Sequence, residues 1–332
     1  MGKRIAASIT GVASYVPPRV MTNADLEKIV DTNDEWIRTR TGIRQRHVVE
    51  KGVAASHLAT QAAQRVLRQT GTDPQDIDLI IVGSVTPDMF FPATACLVQE
   101  RIGATRAWGF DLSAACCGFV YALTVAAQFV GAGTHRKALA IGSDVMTSIL
   151  NYQDRATCVL FGDGAGAALV EPARSAGEGI IDFAHDVDGA GGCYLSMPGG
   201  GSLNPASHET VEKKMHYVHQ DGAHVFKYAV RRMAHMAAEI LERNGFTKDD
   251  LALVVPHQAN LRIIRAMQER LGVDDSKVMV NIDRYANTTA GTIPLGLVDA
   301  VEQGRLRKGD LVMLVSVGAG YTSGVILLRW GY

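Results

Sequence analysis

AQRVLRQTGTDPQDIDLII (residues 63–81) and AAEILERNGFTKDDLALVV (residues 237–255) are one local plan written twice. Leu67 matches Leu241, Gly71 matches Gly245, Asp76 matches Asp250 and Ile81 matches Val255, all at one offset. Each stretch closes a helical pattern on a glycine, crosses an acidic turn and enters an apolar run of strand length. Working outward, each copy is followed by a second unit with a small-residue turn leading into a helix. The first is FDLSAACCGFVYAL (110–123) and the second VNIDRYANTTAGTIPL (280–295). A duplication explains a repeated order of elements better than chance resemblance of a few letters.

The remaining pattern fits two α/β halves. Ile77–Ser84, Ala138–Ile141, Cys158–Phe161, Leu251–Val255 and Leu311–Val315 are nearly continuous apolar runs, expected as strands buried on both faces. Val280–Ile282 is expected as a further strand, and Ser56–Gln69 and Val225–Arg243 as amphipathic helices. The breaker-rich segment Pro172–Gly179 divides the chain into an N-terminal half (1–172) and a C-terminal half (173–332). Two such halves can pack into one body with strand ends converging on a shared site.

Bulk composition narrows the function classes. With 33 basic and 34 acidic residues the formal net charge is -1, so no global field favours nucleic acid or an anionic membrane. No apolar run approaches the roughly 20 residues of a membrane span. The two basic residues Lys3 and Arg4 precede too short an apolar stretch for a secretory signal, and a cytoplasmic location is expected. The five cysteines form neither a disulfide framework nor a zinc spacing. Cys96, Cys158 and Cys193 are read as small buried hydrophobes and Cys117 as a packing residue.

Cys116 is different. It follows the strand Phe110–Leu112 where the chain turns into a helix, so unpaired N–H groups and the helix dipole are expected to lower its thiol pKa. A nucleophile and a packed core cysteine both fit that position. His257 follows a strand through Pro256, and Asn287 lies in YANTTAG after another apolar run. Singly, a histidine there is more often structural and an asparagine more often a turn or cap. Together, at strand ends of a duplicated α/β fold, they point to one site.

The segments DLSAACCGF, PHQANLRI and YANTTAG resemble the Cys, His and Asn motifs of the beta-ketoacyl-acyl-carrier-protein synthase III family. DEWIRTRTGI (34–43) and FGDGAG (161–166) extend the resemblance over essentially the whole chain. It implies a thiolase fold, two duplicated α/β halves packed as a layered αβαβα body. It also implies an acyltransferase that starts fatty-acid synthesis by decarboxylative Claisen condensation of a short acyl-CoA, such as acetyl-CoA, with malonyl-acyl-carrier-protein. Cys116 would carry the acyl group, with the N–H groups of Cys116 and Ala319 as an oxyanion hole, while His257 and Asn287 donate to the malonyl thioester oxygen. Trp36, Arg40 and Arg155 would hold the coenzyme A nucleotide and Asn260 its pantetheine arm. Phe91 would close the acyl pocket across a homodimer, and Val317 and Ser323 stand where the family carries bulkier Phe and Trp. Lys227 and Arg262, within basic sets that include Arg231, Arg232, Arg265 and Arg270, would dock the acidic carrier protein. No metal or organic cofactor is implied, because the departing carboxylate supplies the electrons.

Other readings fit less well. GDGAG (162–166) runs into a strand and does not open a helix, which removes the dinucleotide geometry. His216, His219 and His224 lack acidic or thiolate partners in register and read as a surface segment. A papain-like protease lacks this local signature, and a non-catalytic partner subunit would lose the cysteine. The nearest rival is a thiolase-fold condensing enzyme of a secondary, polyketide-type pathway.

Overall fold

The computed structural model describes residues 6–332, and Lys3 and Arg4 lie outside the described residues. Five strands form the first sheet: β1 (Ala7–Tyr15), β2 (Leu79–Gly83), β3 (Trp108–Leu112), β4 (Ala138–Val145) and β5 (Asp163–Pro172), in the order β1-β5-β4-β2-β3. The pairs of β2 with β3 and with β4 are parallel, while β5 runs antiparallel to both its neighbours. The second sheet holds β6 (Gly179–Val187), β7 (Leu253–Pro256), β8 (Leu311–Gly318) and β9 (Thr322–Arg329), ordered β7-β8-β9-β6. The sheets part between Pro172 and Gly179.

Strand alternation assigns the layers. Leu79 and Ile81 face an interior shared with Leu253, Val255, Val312 and Leu314 of the second sheet. Ile80 and Val82 face the other way, onto Leu58, Ala62 and Val66 of the helix Ala55–Thr70. Two helices fill the space between the sheets: Gly118–Gly131, through Phe119, Leu123 and Val130, and Thr292–Glu302, through Ile293 and Leu297. They are apolar around most of their circumference because both sides are covered. Gly222–Arg243 and Leu261–Leu271 cover the outer face of the second sheet. The result is the expected αβαβα sandwich, and its duplicated central helices begin near the middle of the body.

Two expected strands are absent. Cys158–Phe161 is a buried turn whose only ladder contact among the described residues is a bridge from Phe161 to Asn287. Its apolar residues are explained by packing, since Cys158 and Val159 lie in a small core with Ile37, Ile43 and Ile282. Val280–Ile282 leads into the one-turn helix Ile282–Tyr285. Asn287 therefore follows a short helix, and its backbone is fixed by bonds to Leu160 and Gly162 in place of a strand ladder. Periodicity cannot separate a short buried strand from a short buried turn. Cys96 and Cys193, expected inside, are exposed: one lies on the helix Thr94–Ile102 and the other in a short turn.

Candidate active site

Cys116 sits in a single turn, Ala115–Cys117, before the central helix Gly118–Gly131. Ala115 has a φ of 47°, in the left-handed region that costs a side-chain-bearing residue conformational energy. The turn is held by backbone contact. A Cβ on Gly83 would lie 2.4 Å from the carbonyl carbon of Gly118, so strand β2 and the helix start meet with no side chain between them. The second half props the same turn. Ser316 Oγ donates to the Cys116 carbonyl at 2.8 Å, and Thr322 Oγ1 donates to the Ala114 carbonyl at 3.0 Å. A Cβ on Gly318 would come within 2.8 Å of the Cys116 nitrogen, so the end of β8 lies against that amide, next to Ala319.

The thiol is not acidified in this resting structure. Burial, reinforced by Cys117 and the Asp144 carboxylate, pushes Cys116 well above the ordinary thiol range. Burial works against the acidification expected at a helix start, and the resting group is a neutral thiol. Cys117 is buried, its thiol pushed up to about 12 by burial.

His257 follows β7, and its backbone N–H donates to Val315 at 2.8 Å. The ring is 1% exposed, and burial pushes its pKa down to about 3, so the imidazole is neutral at working pH. Its Nδ1 lies 2.7 Å from Thr292 Oγ1. Asn287 is also buried, and its Oδ1 accepts the Thr289 N–H at 2.9 Å. With the oxygen so engaged, the amide Nδ2 is left as the donor. Thr289 has a φ of 53°, and the turn it opens is tied to the first half by the Ala290 N–H donating to Asp144 at 3.1 Å.

Cys116, His257 and Asn287 line one cavity of about 660 Å³, which widens towards Trp36, Arg40, Asn260 and Arg262. Val317 lines it too. Two guanidinium groups lie over the Trp36 indole, Arg40 at 4.8 Å and Arg155 at 5.2 Å from the ring centre. Asn260 caps the helix Leu261–Leu271 by accepting the Arg262 N–H at 2.8 Å, and donates to the Arg40 carbonyl at 3.0 Å. It thereby pins two sides of the cavity mouth together. A second cavity of about 120 Å³ opens from Cys116 and Ala319 and is walled by Val85, Met146, Ile149, Phe161 and Met197.

Other sequence candidates lie apart. Phe91 is 84% exposed beside Phe90, and within this chain it reaches neither cavity. Ser323 is buried under β8, opposite Val317, with its hydroxyl on the Asp186 carbonyl. Among the basic residues, Arg232 pairs with Asp186 and Arg265 with Asp275. Lys227 and Arg231 are exposed without an ion-pair partner among the described residues, and Arg262 lies over the Phe226 ring at the cavity rim. His216, His219 and His224 bond separately to Thr210, Lys214 and Asp221. Sequence reasoning passed over Asp144, Ser316 and Thr292. The signal was there: Asp144 is the one charged residue in the run ALAIGSDV, and Ser316 the one polar residue in LVMLVSVG.

Comparison with known proteins points to one family. The family model for 3-oxoacyl-acyl-carrier-protein synthase III matches residues 110–189, and that for its C-terminal part matches residues 241–330. The beta-ketoacyl-acyl-carrier-protein synthase III of Solibacter usitatus is 58% identical, covering 98% of this chain and 99% of its own. The solved synthase III from Thermus thermophilus superposes with a TM-score of 0.91 at 44% identity, covering 98% of this chain and 99% of that one. A priming beta-ketosynthase of a polyketide pathway superposes equally well, with a TM-score of 0.91 at 35% identity over 100% of this chain and 99% of that one.

Proposed function

The chain belongs to the 3-oxoacyl-acyl-carrier-protein synthase III family, and on that premise we propose how its residues carry out the initiating condensation of fatty-acid synthesis. Cys116 sulfur attacks the carbonyl carbon of a short acyl-CoA. The N–H groups of Cys116 and Ala319 receive the oxyanion, the C–S bond to coenzyme A breaks, and the thiol proton ends on the departing coenzyme A. Malonyl-acyl-carrier-protein then enters. Its carboxylate leaves as carbon dioxide, and the electrons of the broken C–C bond form an enolate whose oxygen accepts hydrogen bonds from His257 and Asn287. The enolate carbon attacks the acyl-cysteine, a C–C bond forms, and the Cys116 thiolate is expelled and takes up a proton from solvent. No cofactor enters this sequence.

The observation that carries this reading is that thiol, imidazole and amide line one buried cavity, with two neutral donors beside the nucleophile. A charged imidazolium would protonate the carbanion, so a histidine held neutral suits the second step. Trp36, Arg40 and Arg155 hold the adenine end of coenzyme A by stacking, and Asn260 meets the pantetheine arm. The 120 Å³ cavity is of a size for a short primer such as acetyl. Lys227 and Arg262 dock the acidic carrier protein, and the exposed Phe90 and Phe91 are covered by a second copy in a homodimer. No helix among the described residues is long and apolar enough to cross a membrane. A cytoplasmic location is part of the same proposal.

Acetyl-CoA and malonyl-acyl-carrier-protein, followed by intact mass and product analysis, test the reading. Acetylation of Cys116 and an acetoacetyl product are expected, and absence of both refutes it. The likeness to a polyketide priming synthase supports a second reading, in which the chain primes a secondary, polyketide-type pathway with a larger acyl group. Exclusive loading of longer acyl-CoAs would favour it.

A further inference from the structure

Both oxyanion donors of the second step are oriented from one strained turn. The Thr289 N–H at its start binds Asn287 Oδ1, and the Thr292 hydroxyl at its end meets His257 Nδ1. The first of these bonds fixes the amide. The second has two possible senses, because Thr292 Oγ1 also lies 3.0 Å from the Thr289 carbonyl. One hydroxyl proton cannot serve both acceptors.

If it went to the carbonyl, Nδ1–H would donate to Oγ1, and a bare Nε2 lone pair would face the developing negative charge. Two observations favour the other sense. The Thr289 carbonyl already accepts the Thr292 backbone N–H, so it needs no second donor. The contact to Nδ1 is the shorter, and Nδ1 has no other partner among the described residues although the ring is almost wholly buried.

We infer that Thr292 is a positioning residue, whose hydroxyl donates to Nδ1 and so holds His257 in the tautomer with its proton on Nε2, aimed into the cavity. Asp144 steadies the device from the other half by accepting the Ala290 N–H inside the same turn. The arrangement makes the decarboxylation step, and not acyl loading, depend on Thr292. This rests on the functional reading above.

The test uses full-length enzyme with nitrogen-15-labelled histidine, together with the variants Thr292→Val and Thr292→Ser. In the unsubstituted enzyme, the His257 resonances should report a protonated Nε2 and an unprotonated Nδ1. Thr292→Val keeps the shape and removes the hydroxyl. It should lower kcat for condensation by about ten- to a hundredfold, the usual range for losing support behind a catalytic group. KM for malonyl-acyl-carrier-protein should stay within about twofold, Cys116 acetylation within about threefold, and Thr292→Ser should restore most of kcat. A proton found on Nδ1 overturns the inference, as does a Thr292→Val enzyme that condenses at the normal rate or loses loading and condensation equally. Failure of the unsubstituted enzyme to load or condense would instead sink the functional reading, while the resonances would still report on Thr292.

Discussion

Asn287→Asp separates the two half-reactions with a change of one atom. Asn287 Oδ1 accepts the Thr289 N–H at 2.9 Å, and an aspartate oxygen can accept it equally, so the turn and the fold should survive. What changes is the other end of the side chain, where, in the proposed mechanism, a donor to the malonyl thioester becomes an acceptor. Removing one oxyanion donor costs about 2.7–4 kcal/mol, or about 10² to 10³ in kcat. A negative oxygen beside the developing enolate adds repulsion, so a loss at or above the upper end is expected. The sign of the pH response is a second check. The side chain is buried, which raises a carboxyl pKa, and the neutral acid regains an O–H donor. Condensation by the variant should therefore rise, relative to the unsubstituted enzyme, as pH falls. The assay is carbon dioxide release from malonyl-acyl-carrier-protein by enzyme acetylated beforehand, with Cys116 loading followed separately by intact mass. A variant that loads normally and condenses within about fivefold of the unsubstituted rate would refute the donor role, because no lost donor is that cheap.

Cys116→Ala should abolish acetylation while malonyl decarboxylation persists, since His257 and Asn287 remain; loss of carbon dioxide release would count against the division of roles. His257 titrates near 6.5 when unfolded but only near 3 when folded, so it stabilises the fold above pH 6.5 and that stability drains as pH falls from there towards 3. Between those limits the unfolded chain holds the extra proton, so unfolding free energies of His257→Gln from denaturant titrations should depend less steeply on pH than those of the unsubstituted protein. Ile149→Ala opens a wall of the small cavity and should shift the preferred primer towards longer or branched chains, read as relative rates of Cys116 loading across an acyl-CoA series. An unchanged preference would assign primer length to other walls.

The duplicated frame was legible because it rests on patterns that repeat at element scale. The helix, glycine stop, acidic turn and strand of 63–81 and 237–255 reappear as observed elements in both halves. Helix ends fell within a few residues of expectation, since Gly71 closes its helix in the left-handed conformation the sequence implied. Cys158–Phe161 and Val280–Ile282 misled because apolar content reports burial, and a turn lying beneath a cavity is as buried as a strand. The thiol pKa misled for a related reason. A helix start is visible in sequence, but the depth at which it is buried depends on the other half of the molecule. Thr292 and Ser316 act on atoms 35 and 200 residues away in the chain, a separation no local pattern reports.

The clasp between the halves constrains how this enzyme can vary. Ser316, from the C-terminal half, holds the carbonyl of Cys116, and Asp144, from the N-terminal half, holds the turn that engages the side chains of His257 and Asn287. Each half thus acts as the other's scaffold. A chimaera joining the first half of one relative to the second half of another would inherit complete sets of reacting groups, yet its rate would follow how well these two borrowed bonds re-form at the seam. The repeated plan thus carries mutual dependence, and the two halves cannot vary independently where Ser316 and Asp144 cross between them.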